Sequence, residues 1–380
     1  MNKLNVAIVV ESLHLHGGVE RRTSELVKGL LSSGHEVHVY ANRWDPRAAE
    51  GATFHRIPML KLDRVIKPLS FAWFCSALIP RAKHSLVHTQ ARIFRYDIST
   101  LGVGCHRGYL DALGIDPETS AERRFHKAIL RIERSMFKPG NYVRILCNSA
   151  MVKGEIINYY NVPEDRVAVV YNGVDSDLFS PERRSELRDS ARRELGLSPD
   201  ELAVIYAGNG FTRKGLDTLV EAVGRSRYSG IMKILVVGRG KKEDYEKLAA
   251  DCGIPGRLIW VGQSTDIMRH YAAADLFALP TRYDPFANST MEALACGLPV
   301  ITTRSNGVSE ILNDGTDGFV IDRNDPDALS ERIDVLAGDQ ELRQSMGSLG
   351  RALVEPFTWR RTAEETICAY GAVMQDRGVR

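Results

Sequence analysis

Short runs of consecutive apolar residues recur along the whole chain, and amphipathic segments separate them. Such runs are typical of parallel strands buried on both faces, because a strand covered on one face alternates apolar and polar residues. The pattern predicts an α/β protein built from doubly wound parallel sheets. The predicted strands are residues 5–10, 36–40, 85–89, 145–149, 167–171, 202–206, 234–238, 258–261, 276–279 and 299–302.

This alternation of strand and helix occurs twice, and a turn-rich segment beginning at Asn172 separates the two series. A chain of 380 residues is long for one hydrophobic core and suits two. We therefore predict a first Rossmann-like domain at residues 1–172, a second at residues 173–358 and a closing helix at residues 359–380. Two such domains that face one another form a cleft, where ligands bind.

The composition is that of an ordinary enzyme, with a net charge of +2. Residues 1–180 carry 24 Lys and Arg against 18 Asp and Glu, and the remainder carries 26 against 30. Neither half has the dense basic face of a nucleic-acid-binding protein, so we expect no nucleic acid partner. The six cysteines are scattered singly, which favours free thiols in a reducing cytoplasm. The apolar run at residues 69–79 covers only about half a bilayer, and we expect no membrane-spanning helix.

The first predicted helix follows a loop with two adjacent glycines, Gly17 and Gly18. Paired glycines let the backbone approach a ligand closely, and the amino terminus of a helix favours an anion. A tight turn between strand and helix would use the same glycines, so that alternative stays open. The loop at residues 238–240 lacks the third glycine of the dinucleotide-binding pattern. The dinucleotide-binding signal of this loop, which contains Arg239, is therefore poor.

Two adjacent cations, Arg213 and Lys214, come after the predicted strand at residues 202–206. Cations at the carboxyl end of a strand are well placed to neutralise a diphosphate. The alternative is a solvated helix start with a local ion pair to Asp217. The triplet Asp175-Ser-Asp177 lies in the turn-rich linker, not at a strand end, so we predict no metal site there.

One stretch of the second half combines two carboxylates with the start of a helix. Asp284 precedes the loop, and Glu292 opens a helical run eight positions later. Backbone N–H groups around Asn288, Ser289 and Thr290 can hold a phosphate, while carboxylates accept hydrogen bonds from sugar hydroxyls. This layout is what the binding of a nucleotide sugar requires.

Taken in order, these elements resemble the family 4 retaining glycosyltransferases of the GT-B fold over nearly the whole chain. The Arg213-Lys214-Gly segment resembles the R-K-G element of that family, and the stretch from Asp284 to Glu292 resembles its E-x7-E element, with Asp in place of the first Glu. Several of these segments look most like the lipopolysaccharide core glucosyltransferases. The resemblance implies two facing Rossmann-like domains and a terminal helix that crosses back to the first.

By that resemblance the reaction moves a hexose, glucose, from a UDP-sugar to a lipid-linked saccharide such as the lipopolysaccharide core, with retained anomeric configuration and front-face attack. No metal ion or resident cofactor is implied, and the enzyme would act at the cytoplasmic face of the inner membrane. The family roles place Arg213, Lys214, Gly17 and Gly18 at the diphosphate. They place Glu292 at the ribose and Asp284 at the donor sugar. The loop of Arg239 faces the nucleotide in that family, and Gln263, after the next strand, is the expected partner of the base edge.

Two residues depart from the family pattern. Asp284 is one methylene shorter than Glu, and Asn209 stands where a second arginine is usual. These departures favour one alternative, a non-catalytic nucleotide-sugar-binding protein. A nucleotide-sugar epimerase of the same two-domain architecture is another alternative, because it needs the same diphosphate site.

The first half should bind the acceptor. Gln90, Arg92 and Asp97 follow the predicted strand at residues 85–89, and we predict that they bind acceptor. His88 fits a structural role, since a lone histidine on a buried strand is more often a hydrogen-bonding core residue. His106 is the better catalytic candidate, because family members commonly carry a histidine close to the donor sugar in this loop.

A basic amphipathic helix is predicted over residues 123–138. One interpretation is a surface helix with its apolar stripe in the core, and the other is an interfacial helix resting on anionic lipid. The apolar stripe consists of Phe125, Ile129, Ile132 and Met136. The opposite face carries Arg124, Lys127, Arg131, Arg134 and Lys138.

Overall fold

The chain divides into two compact units in the computed structural model, which describes residues 3–14 and 17–377. The first unit contains the residues up to Gly173 together with those from Trp359 onward, and the second runs from Val174 to Thr358. Each unit is built on a parallel sheet with helices, so the prediction of two doubly wound α/β domains is confirmed.

Seven parallel strands form the sheet of the first unit, in the order β3-β2-β1-β4-β5-β6-β7. The strands are β1 (Asn5–Leu13), β2 (Glu36–Trp44), β3 (Thr53–Arg56), β4 (Leu86–Thr89), β5 (Ile98–Leu101), β6 (Arg144–Cys147) and β7 (Val167–Val169). The direction of winding reverses between the neighbouring strands β1 and β4. Ligands of doubly wound sheets bind at the carboxyl ends of the strands beside such a reversal. Gly17 and Gln90 follow these two strands.

Helices cover both faces of this sheet. They are α1 (Gly18–Ser32), α2 (Ile66–Leu78), α3 (His106–Ala112), α4 (Arg123–Met136), α5 (Ala150–Tyr160) and α13 (Trp359–Asp376). Short 3-10 segments occupy Pro46–Ala49, Arg81–Lys83 and Glu164–Arg166. Ile8 and Val9 of β1 lie in two different apolar clusters, as expected for a strand buried on both faces. Helix α13 packs closely on α1 at Gly29. A Cβ atom there would lie only 2.5 Å from the Cβ of Ala363, so the contact requires glycine.

Six parallel strands form the sheet of the second unit, in the order β10-β9-β8-β11-β12-β13. The strands are β8 (Leu202–Ala207), β9 (Met232–Val237), β10 (Leu258–Gly262), β11 (Leu276–Leu279), β12 (Val300–Thr303) and β13 (Phe319–Ile321). Here the winding reverses between β8 and β11. The loops after these two strands carry Arg213, Lys214 and Asp284.

The helices of the second unit begin with the charged segment that follows the predicted boundary. They are α6 (Pro181–Glu194), α7 (Leu216–Arg225), α8 (Glu243–Asp251), α9 (Ile267–Ala273), α10 (Asn288–Ala295), α11 (Pro326–Gly338) and α12 (Gln340–Val354), with a 3-10 segment at Gly307–Ile311. The hydroxyl of Ser180 caps α6 by accepting the Arg183 N–H at 3.3 Å. Arg188 and Arg192 then join α6 to Asp275, which precedes β11.

The basic helix predicted over residues 123–138 is α4, and its apolar stripe lies in the core. Ile129 is 5% exposed, and Ile132 and Met136 are completely buried. All five cations of the opposite face are exposed. The stripe is therefore not available for insertion into a bilayer, and the surface-helix interpretation is correct for it. Among the helices that the structure describes, none is long and apolar enough to cross a membrane.

Candidate active site

A buried ionic cluster lies at the reversal of winding in the second unit. The Nζ atom of Lys214 lies 2.7 Å from Oδ2 of Asp284, and Nη1 of Arg213 lies 3.3 Å from the same oxygen. Asp284 is 6% exposed and Lys214 is 8% exposed, whereas the Arg213 side chain keeps 31% of its surface. We call these three residues the Asp284 cluster. It unites two loops that are 70 residues apart in sequence, and it has one positive charge in excess.

The ionisation of Asp284 depends on its two cations. Burial opposes ionisation, and the attraction of Lys214 and Arg213 outweighs it, so the pKa of Asp284 lies below its ordinary value. The other oxygen, Oδ1, accepts the Phe286 N–H at 3.3 Å. The carboxylate is therefore ionised at neutral pH and already has a partner on each oxygen.

The loop that carries the two cations is held in place by the residues after β11. The carbonyl of Arg213 accepts the Arg282 N–H at 2.8 Å and the Thr281 hydroxyl at 3.1 Å. The Arg282 guanidinium binds both oxygens of Asp217, at 3.0 and 2.8 Å, and also the Thr212 carbonyl. The local pair predicted for Asp217 is thus made by Arg282, which leaves Arg213 and Lys214 to Asp284.

Close backbone contact fixes the end of the same loop. Gly215 has φ +73°, and a Cβ atom there would lie 2.0 Å from the carbonyl oxygen of Pro280. Only glycine fits both the left-handed conformation and this approach. The sequence Arg213-Lys214-Gly therefore places its two cations against the loop that follows β11.

Helix α10 presents its amino terminus at the same edge of the sheet. It begins at Asn288, four residues before the predicted start at Glu292, so Ser289 and Thr290 lie in its first turn. Ser289 donates its hydroxyl to the Ala207 carbonyl at the end of β8, at 3.0 Å. Glu292 accepts the Tyr271 hydroxyl on Oε2 at 3.0 Å. The first turn of a helix points N–H groups outward, which suits an anion.

Asn306, a residue that the sequence did not single out, fixes α10 to β12. Its amide nitrogen donates to the hydroxyls of Thr290 at 3.0 Å and Thr302 at 2.9 Å. Its amide oxygen accepts the N–H groups of Ala287 at 3.1 Å and Val308 at 3.2 Å. Asn306 is completely buried and its hydrogen-bonding capacity is used in full. In the sequence it shows only as part of an Asn-Gly turn.

The two nucleotide candidates lie on the other side of β8. Arg239 is exposed in the loop after β9, and its N–H donates to the Asn209 side chain at 2.9 Å. Asn209, which replaces the expected arginine, therefore joins the loops after β8 and β9. Gln263 is exposed after β10, the edge strand, two strands away from β8. Both candidates lie at the carboxyl edge of the sheet, and only Arg239 adjoins the loop of the cationic residues.

In the first unit, the two glycines lie at the amino terminus of α1. Gly17 has φ +113° and precedes the helix, and Gly18 is its first residue. A Cβ atom on Gly17 would lie 2.2 Å from Oε2 of Glu20, so the carboxylate of Glu20 folds back over the first turn. Burial raises the pKa of Glu20. A phosphate at this helix end would have to displace that carboxylate.

Gln90 lies at the carboxyl end of β4, beside the reversal in the first sheet. It is 5% exposed, and its Nε2 lies 3.1 Å from Nε2 of His88. Its Oε1 atom is buried and has no hydrogen-bond partner among the described residues. His88 is completely buried between Tyr370 and Thr100, at 2.7 and 2.8 Å, in agreement with a structural role.

His106 and Arg92 meet a buried carboxylate that was not predicted. Glu133 of α4 is completely buried, and it accepts the Nε–H of Arg92 and the backbone N–H of His106, each at 2.8 Å, and the Tyr160 hydroxyl at 2.7 Å. Burial, then Arg92 and His126, lower the pKa of His106 to about 3, so its ring is neutral at pH 7. Arg92 therefore braces α3 and α4, a structural task that the sequence did not reveal.

The prediction that Asp97 binds acceptor is corrected by the strand register. Asp97 precedes β5, and its carboxylate accepts the Val87 N–H at the start of β4 at 2.7 Å and the Arg81 guanidinium at 2.8 Å. It therefore lies at the amino edge of the sheet, opposite the edge that carries Gln90. The sequence shows that Asp97 comes after β4 in the chain. It does not show that the chain returns to the amino end of β4 before β5 begins, which is where Asp97 lies.

Family models match both halves of the chain. The model described as Glycosyltransferase Family 4 matches residues 16–178, and the model described as Glycosyl transferases group 1 matches residues 188–353. The chain belongs to the family 4 glycosyltransferases of the GT-B fold. Among the residues of this glycosyltransferase that the structure describes, no group of three or more His, Cys, Asp or Glu side chains is arranged to hold a metal ion.

Two relatives illustrate the range of this glycosyltransferase family. An uncharacterized glycosyltransferase of Methanocaldococcus jannaschii is 23% identical over 95% of this chain and 96% of its own. A D-inositol 3-phosphate glycosyltransferase of Streptomyces scabiei is 32% identical over 61% of this chain. The match spans about half of that relative's length (54%).

Two solved structures show the same fold. WaaG, a glycosyltransferase involved in lipopolysaccharide biosynthesis, superposes with a TM-score of 0.83 at 19% identity, over 95% of this glycosyltransferase and 98% of WaaG. HepE of Anabaena, solved in complex with UDP and glucose, has a TM-score of 0.74 at 18% identity, over 97% of this chain and 100% of its own. At these identities the likeness establishes the fold.

Proposed function

We propose that this glycosyltransferase moves glucose from UDP-glucose to a lipid-linked saccharide, with retained anomeric configuration and without a metal ion. The observation that carries the proposal is the Asp284 cluster at the reversal between β8 and β11. Nucleotide phosphates bind at such reversals in doubly wound sheets. The complex of HepE with UDP and glucose supports this donor, and the role of WaaG supports a lipopolysaccharide acceptor.

In this proposal Arg213 and Lys214 stabilise the diphosphate as it leaves the sugar. Their positive charges exceed the charge of Asp284 by one, so the cluster attracts an anion. The exposed part of Arg213 is the side on which the diphosphate approaches. Two fixed cations in a largely buried site stabilise a developing negative charge without reorganisation, which is the task that a metal ion has in other transferases.

Most of the remaining proposed donor contacts lie at the same edge of the second sheet. In the first turn of α10, the Ser289 N–H is the proposed contact of a phosphate, whereas the Thr290 N–H already donates to the Ala287 carbonyl at 3.0 Å. Glu292, whose Oε2 accepts the Tyr271 hydroxyl, is the proposed contact of the ribose hydroxyls. Arg239 and Gln263 remain the proposed contacts of the base, and Gly17 and Gly18 the proposed backbone contacts of the diphosphate.

Retention by front-face attack fits the surroundings of Asp284. A carboxylate nucleophile needs an oxygen free to attack the anomeric carbon, whereas both oxygens of Asp284 are engaged. We therefore assign Asp284 to holding the two cations and to a hydroxyl of the donor sugar. His106 is neutral and contributes hydrogen bonds only.

The acceptor side is proposed for the first unit. The Oε1 atom of Gln90 has no hydrogen-bond partner among the described residues, and it lies beside the reversal between β1 and β4. We propose that it accepts a hydrogen bond from a hydroxyl of the acceptor saccharide. The exposed cations of α4 and Lys138, which follows the helix, are proposed to touch anionic lipid by charge alone. That contact would place the enzyme at the cytoplasmic face of the inner membrane.

A thermal-shift screen against UDP-, GDP- and ADP-sugars, with and without EDTA, tests the donor. A ligand that binds only the native state stabilises it, so we expect a shift with UDP-glucose that EDTA does not change. Nuclear magnetic resonance of the product from UDP-glucose and lipopolysaccharide core then reports transfer and anomeric configuration. Release of an epimerised sugar without transfer would favour an epimerase, and tight nucleotide binding without turnover would favour a binding protein.

A further inference from the structure

A cavity of about 550 Å³ lies in the first unit, at the carboxyl ends of β1 and β2 beside the start of α2. Its walls include Glu11 of β1, Asn42 and Arg43 of β2, and side chains from residues 59–67. A volume of this size accommodates a sugar with one or two phosphate groups. We call it the cation pocket, because positively charged side chains predominate in its walls.

Cations outnumber carboxylates in the cation pocket by four to two. The cations are Arg43, Lys61, Arg64 and Lys67, and the carboxylates are Glu11 and Asp63. These side chains come from three separate elements of the fold. A ligand that enters the pocket therefore meets an excess of positive charge from several directions.

Both carboxylates already have partners. Glu11 lies 3.7 Å from the Nζ atom of Lys67. Oδ1 of Asp63 accepts the N–H groups of Val65 at 2.8 Å and Ile66 at 2.6 Å, and it thereby caps the start of α2. Neither carboxylate is directed to the other cations of the pocket.

Two of the four cations lack such a counter-charge. Arg64 pairs with Glu122, outside the pocket. The side chains of Arg43 and Lys61 form no ion pair or hydrogen bond with any residue that the structure describes. Desolvation, and then repulsion from Arg43, Lys67 and Arg56, lower the pKa of Lys61. An anion placed between Arg43 and Lys61 would relieve that repulsion.

The donor diphosphate already has its cations in the second unit, at Arg213 and Lys214. The cation pocket in the first unit is thus left for a different anion. We propose that it binds a phosphate group carried by the acceptor, so that the acceptor is a phosphorylated saccharide. This inference rests on the proposed function. The phosphate can belong to a soluble sugar phosphate or to the phosphorylated head of a lipid-linked saccharide, since both present the same chemistry.

Calorimetric titration of the full chain tests the inference, with saturating UDP present. The soluble probes are inositol 1-phosphate, glucose 6-phosphate and inorganic phosphate, each beside its unphosphorylated parent where one exists. Vesicles that contain phosphatidic acid, against vesicles of phosphatidylcholine alone, provide the lipid arm. We expect a phosphorylated probe to bind and its parent to bind far more weakly, because charge-assisted hydrogen bonds distinguish them.

The variant that removes the two unpaired cations is Arg43→Ala with Lys61→Ala. Both side chains are exposed, so the fold should persist, with a melting temperature close to that of the wild type. The matched control is Lys28→Ala with Arg360→Ala, two exposed cations of the same unit outside the pocket. We expect the pocket variant to bind the phosphorylated probe roughly 10- to 100-fold more weakly than the wild type, and the control to bind it with unchanged affinity.

The two hypotheses fail separately in this design, because UDP is titrated into every variant as well. Equal binding of phosphorylated and parent probes, no binding of any phosphorylated probe, or an unchanged pocket variant would overturn the cation pocket as a phosphate site. A wild-type protein that ignores UDP but binds phosphate through Arg43 and Lys61 would overturn the proposed function alone. Binding to the phosphatidic acid vesicles only, if the pocket variant loses it and the control keeps it, would support the pocket and assign its phosphate to a lipid head; if both variants keep it, the vesicles bind elsewhere and the pocket is overturned.

Discussion

Replacing Lys214 by Met tests the ionic cluster of the second unit. The change removes an ammonium group 2.7 Å from Oδ2 of Asp284 and retains an apolar side chain of similar length. Asp284 then keeps only Arg213, at 3.3 Å and with 31% of its side chain exposed. The carboxylate stays buried while the nearer and better-shielded of its two cations is lost.

Removing one partner of a buried ion pair costs about 3–5 kcal/mol of unfolding free energy, because an uncompensated charge remains inside. Arg213 still pairs with Asp284, and the Met side chain adds apolar burial. We therefore expect a loss of about 2–4 kcal/mol at pH 7. For a unit of this size that corresponds to a fall of about 5–12 °C in melting temperature.

The stability lost in Lys214→Met should depend on pH, because the loss involves the ionised form of Asp284. In the wild type the pKa of Asp284 is lowered, so its stabilising contribution is present above the unfolded pKa of about 3.9 and is lost as the pH falls through the lower folded pKa. In Lys214→Met the effect of burial is less opposed, and the pKa of Asp284 rises. The stability of the variant relative to the wild type then falls as the pH rises, so the deficit is larger at pH 7 than at pH 4.5.

Urea unfolding at both pH values, followed by tryptophan fluorescence, measures the deficit. Lys247→Met is the control, because Lys247 is exposed on α8 and a change there should stay within about 0.5 kcal/mol of the wild type. A deficit under about 0.5 kcal/mol at pH 7, or a deficit that is larger at pH 4.5 than at pH 7, would refute the role assigned to Lys214.

Three further changes probe the supports of the site. Arg282→Ala should raise the KM for the UDP-sugar about tenfold with a smaller effect on kcat, since it loosens the loop of Arg213. Steady-state kinetics measure both constants, and a fall in kcat alone would contradict this prediction. Glu133→Gln should lower the unfolding free energy by about 2–4 kcal/mol because the carboxylate holds Arg92, and unchanged urea midpoints would contradict this. Gly215→Ala should lower it by about 1–3 kcal/mol through backbone strain and a clash, and an unchanged melting temperature would exclude that strain.

Ten of the thirteen described strands could be predicted from the sequence, whereas β3, β5 and β13 could not. The continuous apolar runs of β1, β8 and β9 identify strands without further information. Polar residues interrupt the apolar pattern of β3 and β5, and β13 is an apolar run of only three residues. They are recognised only by the neighbours with which they pair.

The loops of the donor site could be predicted, but their contacts could not. Two cations after one strand and a carboxylate after another indicate a phosphate and sugar site. Their direct pairing depends on β8 and β11 being neighbours, and strand order is not written in the chain. For the same reason the sequence assigned Asp97 to the acceptor edge, and it gave no sign that Arg43 and Lys61 share a pocket.

Calorimetric titration of UDP into the wild type and Arg213→Ala, at pH 7.5 with EDTA, tests the central claim most directly. The account predicts that the wild type binds UDP in EDTA and that Arg213→Ala binds it roughly 10- to 100-fold more weakly, since a charge-assisted contact to the diphosphate is lost. A wild type that binds no UDP, or a variant that binds it equally well, would contradict a diphosphate site at the Asp284 cluster.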